Sequence, residues 1–537
     1  MNPDLSVFKS LVQHEISALN HAATETGRDM SVKSLRYLSS EQALADLAEF
    51  IEAMNDKYKL TSATKWIVFG GSYPGSLAAW LRFKYPHLIH GAVSTSGPLL
   101  AKADFQEYYG VVQQSLSTTG NDCVRAIKNA TSQIDILLKH EIGLLKLKEL
   151  FRPCDAIDPT NEADVATLYE TLAGNFAGVV QYNKDNRAFE GSRGTNITID
   201  VVCELMSDET IGPAVTRYAA VNSLLLDAYN QTCTDFSYDN MIRSLRNTSW
   251  NSSASEGGIR KVILKELYPH LRGECEKPFW EKINSVHLSE ILTSAISLSS
   301  TVCEINALEH ATTVAGRQWI YQTCTEFGFY QTSSLSPHLF GDDFPLDYFT
   351  RQCEDIFGPS TYLGEPKGKF VLIFPQSLSL MLVFVSAFWP EHERTSHVGF
   401  VSRTPLVLKT LKCIAYYCLE LTLEFLKACQ AEPAVWDPTR RLHNGLFNDT
   451  LLEQGINRTN MFYGAYNLQV TNIVFVHGTI DPWHALGITK SISDSEPAIF
   501  IEGTAHCANM YPSSPDDPPG LVEARLQIFE LVKRWLQ

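Results

Sequence analysis

Basic side chains are scarce in this chain. Lysine and arginine number 44 against 60 aspartates and glutamates, a formal net charge of −16 over 537 residues. Nucleic-acid binding needs a basic surface that neutralises phosphates, so that role is excluded. Metal-ligand spacing is missing as well. The 12 cysteines include no CxxC pair and no Cys/His cluster, and Cys413 and Cys418, with four residues between them, have no matching pair nearby. No metal site is read, and no cofactor is expected. Internal repeats and low-complexity tracts are absent. Met1 to Ala23 lacks both the basic and the apolar region of a secretory signal. Phe8, Leu11, Val12, Ile16 and Leu19 form a helical stripe there instead.

What is present points the other way on compartment. Seven N-x-S/T sequons stand at Asn129, Asn196, Asn230, Asn247, Asn251, Asn448 and Asn457. With so many cysteines they favour a glycosylating, oxidising route. Either the chain is cytosolic, or a longer native form carries the signal. Hydrophobic residues make up 45% of the sequence, enough for a sizeable core. The length exceeds one typical domain and predicts a large insertion or a second domain.

Ser39 opens a capping box with Gln42, and Leu44, Leu47, Ala48, Ile51 and Met54 follow as a helical face. The run Trp66–Phe69 ends in Gly70 and Gly71 and reads as a buried parallel strand. A helix from Pro74 to Lys84 and a strand over His90–Ser94 complete a βαβ unit. From Phe105 to Phe357 helical patterns dominate, Ile134 to Phe151 among them, without strand alternation. This stretch reads as a helical domain inserted into the sheet domain. Strands return at Asn472–Val476 and Ala498–Ile501. A last helix spans Leu521–Trp535, with Val522, Leu526, Phe529 and Val532 on one face.

Gly70-Gly71-Ser72-Tyr73-Pro74-Gly75 lies between a strand and a helix, the setting of a nucleophile elbow. A serine there sits at a strained turn, so its neighbours must be small. Pro74 replaces the usual second glycine, which the first helical turn tolerates. The helix N-terminus would face a developing oxyanion, with the Tyr73 N–H as one donor. Taken alone, the motif equally suits a phosphate-binding turn. The partners favour catalysis. Asp481 follows one late strand and His506 the next, in the order Ser…Asp…His of such hydrolases, 25 residues apart. An imidazole accepts the serine proton, and a carboxylate fixes its tautomer. His477 and His484 lie near Asp481 but do not lead out of a following strand, so they read as loop residues.

Several stretches resemble the family of lysosomal Pro-X carboxypeptidase and dipeptidyl peptidase II. They are YLSSEQALADLAEFI (37–51), GGSYPGSLAAWLRFKYPHLIHGAVSTSGP (70–98), QWIYQTCTEFGFYQT (318–332), FVHGTIDPWHALG (475–487) and GTAHCANMYP (503–512). The resemblance implies an α/β-hydrolase sheet domain with a large helical cap, and a serine exopeptidase acting on short peptides, often after proline. It gives Ser72, Asp481 and His506 the triad roles. Trp483 would line the pocket for the residue before the cleaved bond, although a core role suits it as well. The implied organisation is 1–104 as the first part of the hydrolase domain, 105–358 as the cap, 359–445 as an atypical insert, and 446–537 as the second part of the hydrolase domain. The compartment implied is lysosomal, endosomal or secreted. Short peptides are the partners, and a homodimer is admitted.

Two departures stand out. The family's His-Arg-Phe-Tyr-Gly motif is missing and only 71 residues precede Ser72, so N-terminal strands and a second oxyanion donor are expected to be lacking. The stretch 361–443 exceeds the family's shorter link. It contains Phe370–Trp389, 20 residues without a formal charge, the length of a membrane span. A single crossing would put Ser72 on one side and His506 on the other, and Pro375 interrupts a helix there, so no span is expected. Three functions compete: an active exopeptidase, an impaired variant that only binds peptides, and an esterase on the same fold.

Overall fold

The computed structural model describes residues 29–185, 187, 192–248, 316–358 and 447–537. The N-terminal stripe, Asn251, Cys413, Cys418 and the stretch 361–443 with Phe370–Trp389 lie outside the described residues. The chain divides into one unit of Met1–Pro359 with Leu446–Gln537, and another of Ser360–Gly445. Everything below belongs to the first.

Helix α1 (Ser40–Tyr58) starts where the capping box predicts, with the Ser39 side chain accepting from the Gln42 amide at 3.2 Å. It buries Leu44, Ala48 and Ile51. Strand β1 (Trp66–Gly71) leads into α2 (Tyr73–Lys84), then β2 (Ile89–Thr95). Arg82 near the end of α2 is buried. It donates to the carbonyls of Thr471, Pro86 and Ile89, fixing the helix against the approach to the later strands. A short strand β3 (Lys102–Asp104) follows.

Helices then dominate, as the sequence predicts. They are α3 (Glu107–Leu116), α4 (Asn121–Leu138), α5 (Glu141–Phe151), α6 (Glu162–Gln181), α7 (Ile199–Ser207), α8 (Ala214–Ala228) and α9 (Tyr238–Leu245). The single helix read over Ile134–Phe151 is two, broken at Lys139 and His140. Gly143 allows the tight junction: a Cβ there would come within 2.1 Å of the Leu137 carbonyl oxygen. Disulfides Cys123–Cys203 and Cys154–Cys233 brace this layer. Helix α10 (Gly316–Gln322), strand β4 (Gly328–Tyr330) and helix α11 (Leu346–Phe357) come next. Cys324–Cys353 joins α11 to the turn after α10. Strand β4 pairs in parallel with β3. At three residues each, neither strand leaves an alternation that could be read.

After α12 (Asp449–Tyr463), strands β5 (Ile473–Gly478) and β6 (Ala498–Ile501) return to the main sheet. Its order is β1-β2-β5-β6, every pair parallel. All six residues of β5 are buried because both faces are covered. Ile473 and Phe475 join the core shared with the helical layer, while Val474 and Val476 join a second core with helix α13 (Pro519–Leu536). Of the face marked in the sequence, only Val532 packs against this core. Leu521, Ala524, Ile528 and Trp535 are buried, whereas Val522, Leu526 and Phe529 are exposed. The helix is apolar on two faces, and helical spacing alone does not say which one meets the sheet.

Candidate active site

Parallel strands place their C-terminal ends along one edge of the sheet, and ligands of open parallel sheets bind at that edge. Ser72 follows β1 there with φ 66° and ψ −136°, a conformation costly for any residue with a Cβ. The elbow survives because the chain around it is pared down. A Cβ on Gly70 would lie 1.9 Å from the Pro74 carbonyl oxygen, and one on Gly75 would lie 2.4 Å from that of Thr95. Gly75 thus supplies the space that the proline at 74 does not. The Ser72 amide donates to the Thr95 carbonyl at 3.0 Å, tying the turn to β2. Tyr73 is the first helical residue, with its backbone at the N-terminus of α2.

Asp481 follows β5 and is fully buried. Its Oδ1 accepts from the Trp483 amide at 3.1 Å and meets His506 Nδ1 at 2.9 Å. His506 sits in the loop after β6, also buried. The two loops are joined where the Ile480 amide donates to the Thr504 carbonyl at 3.0 Å. Burial alone would push the Asp481 carboxyl up and His506 down. The pairing overrides both. The His506 charge and hydrogen bond, with His477 and Ser96, lower Asp481; the Asp481 charge first, then Cys507 beside the ring, raise His506 well above the usual imidazole value. Ser72 Oγ forms no hydrogen bond to the His506 ring in this structure. The two halves are adjacent all the same, since a Cβ on Gly71 would come within 3.0 Å of Cys507 Sγ.

The rings of His477 and His484 form no hydrogen bond to the side chains of this pair. The His477 ring is packed against Gly487 with neither nitrogen hydrogen-bonded. Burial pushes it down to about 4, against the pull of Asp481. Burial lowers His484 as well.

Trp483 is half-buried, its ring near Phe105, Tyr108 and Phe329 at centroid distances of 5.5, 5.9 and 5.6 Å. Its Nε1 donates to Gln181 Oε1 at 3.1 Å, which also accepts from the Tyr108 hydroxyl at 2.7 Å. The Gln181 backbone carbonyl accepts from the His506 amide at 2.9 Å. The next residue, Tyr182, meets the His506 ring edge-on at 6.0 Å. Sequence reasoning missed Gln181, because its partners lie far off in sequence, Tyr108 at 73 positions before it and Trp483 at 302 positions after, and no local pattern marks it. It missed Ser96 and Cys507 too. Ser96 Oγ accepts from the Cys507 amide at 3.0 Å, and the Cys507 side chain, buried and outside any disulfide, hydrogen-bonds His506. Among the described residues no group of three or more His, Cys, Asp or Glu side chains is placed to hold a metal ion. No helix among them is long and apolar enough to cross a membrane.

Comparison with known proteins places this geometry. Residues 24–261, 269–367 and 442–528 match the profile of the family described as serine carboxypeptidase S28. The mouse thymus-specific serine protease is 26% identical over 521 residues, covering 95% of this chain and 71% of the relative. Its human counterpart is 25% identical over 517 residues, covering 95% and 70%. Bovine lysosomal Pro-X carboxypeptidase is 33% identical over 150 residues, 27% of this chain and 30% of the relative. Since the family profile spans most of its length, the chain belongs to the S28 family of serine peptidases.

Proposed function

We propose that this protein is a serine exopeptidase that hydrolyses short peptides through an acyl-enzyme on Ser72. The observation that carries the reading is the buried Asp481–His506 pair, 2.9 Å apart, at the same sheet edge as a strained serine elbow. His506 takes the Ser72 proton as Oγ bonds to the scissile carbonyl carbon, then gives it to the departing amine. Water repeats the sequence to release the acid and regenerate Ser72. Asp481 holds the tautomer and balances the imidazolium charge. The Tyr73 N–H, at the positive end of α2, stabilises the oxyanion.

Trp483 is assigned to the pocket for the residue before the cleaved bond. Its wall of Phe105, Tyr108 and Phe329 offers apolar ring faces that suit a proline side chain. The helices of 105–358 act as a cap that restricts access. In support, the end of α6 touches both His506 and Trp483. The lysosomal, endosomal or secreted route is supported by three disulfides and by six sequon asparagines, Asn129, Asn196, Asn230, Asn247, Asn448 and Asn457, all exposed.

A fluorophosphonate probe with a peptide panel tests the reading. Wild type labels at Ser72, and Ser72→Ala loses labelling and about 10⁴-fold or more in kcat. Labelling that survives Ser72→Ala removes Ser72 as nucleophile. Ester hydrolysis without cleavage of any peptide makes the protein an esterase. A folded wild type that never labels is a binder.

A further inference from the structure

Behind the elbow runs a buried polar chain that the reaction above does not use. Glu326, in the π-helical turn Thr323–Phe327 that continues α10, has no solvent exposure. It accepts from the Ser40 hydroxyl at 3.0 Å and from the Ser40 amide at 3.2 and 3.1 Å. Its Oε2 accepts from Gln322 Nε2 at 3.0 Å, and Arg458 Nη2 stands 3.7 Å from Oε1. The same Gln322 nitrogen donates to the Tyr73 hydroxyl at 3.1 Å. The Tyr73 ring packs between Trp319 and Phe327, at centroid distances of 5.6 and 5.3 Å. The chain of contacts thus ends on the residue next to Ser72.

The chemistry gives this chain a direction. A side-chain amide has two orientations, and its neighbours choose between them. A carboxylate only accepts, so Glu326 holds the nitrogen of Gln322 toward itself. One hydrogen of that nitrogen goes to Glu326 and the other to the Tyr73 oxygen. Gln322 Oε1 is left buried without a partner, so the carboxylate, and not the amide's own best fit, sets the orientation. Turned over, the amide would point its oxygen at Glu326 and withdraw the donor from that carboxylate. Tyr73 carries the proposed oxyanion N–H and borders the strained backbone of Ser72. Strain of this kind persists only where surrounding contacts over-determine it.

We propose that Glu326 is a positioning residue for the reaction, acting through Gln322 to fix Tyr73 and thereby the oxyanion donor. The proposal rests on the Ser72 reading above. An oxyanion exists in the transition state and not in bound substrate, so loss of this alignment lowers kcat and leaves KM in place.

The test uses the full chain as wild type, Glu326→Gln, Tyr73→Phe, their double variant, and the exchange Gln322→Glu with Glu326→Gln. Peptide kinetics, fluorophosphonate labelling rates and thermal melts are measured on each. Each single variant is expected to lose roughly tenfold in kcat and labelling rate at unchanged KM, less than outright removal of an oxyanion donor. The double variant loses no more than either single one, because both break the same chain. The exchanged pair recovers activity, since it restores a carboxylate beside an amide with their order reversed. A folded Glu326→Gln with wild-type kcat overturns the proposal, as do losses that multiply in the double variant. If Glu326→Gln does not fold, Tyr73→Phe decides: unchanged kcat in that variant overturns the proposal. Wild-type labelling that persists in Ser72→Ala overturns the Ser72 reading itself, a result distinct from all of these.

Discussion

At the residue scale the site depends on which influence wins at His506. Burial would keep the imidazole neutral and its pKa low; the Asp481 charge 2.9 Å away wins and raises it. As the proposed base, His506 must be neutral to take the Ser72 proton, so kcat/KM should climb with pH through an inflection above the ordinary 6.5. Asp481→Asn should move that inflection down and cost about 10⁴-fold in kcat. Fluorophosphonate labelling rates across pH report it, and an inflection below 6 in wild type would contradict the pairing. The same pair ties folding to pH. Asp481, lowered, contributes stability above its unfolded value near 3.8 and loses it as pH falls through the folded value. His506, raised, contributes below 6.5 and loses it as pH rises through its folded value. The pair's joint contribution is therefore complete in mildly acidic solution, and exchanging both for Asn and Gln should flatten Tm against pH at either end. These residues were legible in the sequence because each sits just past an apolar strand, in hydrolase order. Gln181 was not, since a glutamine at a helix end has no distinguishing pattern until the fold brings Trp483, Tyr108 and His506 to it.

Elements were legible where one periodicity admitted one arrangement. Trp66–Gly71 and Ile473–Gly478 are apolar-rich runs ending in glycine, and both became parallel strands; β5 is buried throughout, whereas β1, at the end of the strand order, is half-buried apart from Gly70. Helix α13 shows the limit, because two apolar faces compete and only the sheet chooses. Its buried face predicts a contrast. Ile528→Ala removes a side chain from the core beneath Val474 and Val476 and should cost about 2–4 kcal/mol. Leu526→Ala, on the exposed face, should stay within about 0.5 kcal/mol. Urea unfolding of both variants measures the difference, and equal losses would mean the helix is seated on the other face. The end of α6 carries a second expectation. Gln181→Ala removes the shared acceptor of Trp483 and Tyr108 while keeping the carbonyl that holds His506. It should raise KM several-fold and change kcat less, as loss of binding made equally in ground and transition states does. A fall in kcat at constant KM would place Gln181 with the reacting groups instead.

At the scale of the whole molecule, one hydrophobic core joins segments far apart in sequence, from Leu35 to Ala505. It includes both Phe357 and Phe447. Phe357 and Phe447, both buried, bring their ring centroids within 5.1 Å, and Tyr321 packs on Phe447 at 6.1 Å. The two segments that flank 359–446 therefore meet inside this unit. The family profile also stops at residue 367 and resumes at 442. A linker of five residues reaches about 16–18 Å, ample for rings in contact, because extended chain covers roughly 3.3–3.6 Å per residue. Replacing 361–443 with such a linker should preserve the closure. Ser72 precedes the cut, Asp481 and His506 follow it, and every contact described among them belongs to residues that are kept. The shortened protein should label with fluorophosphonate at the wild-type rate and melt within a few degrees of the full chain. It should also be the more soluble of the two, because it lacks the uncharged run Phe370–Trp389. Loss of labelling in a variant that still melts cooperatively would show that 361–443 shapes the site. Loss of the melt itself would show that the core depends on it.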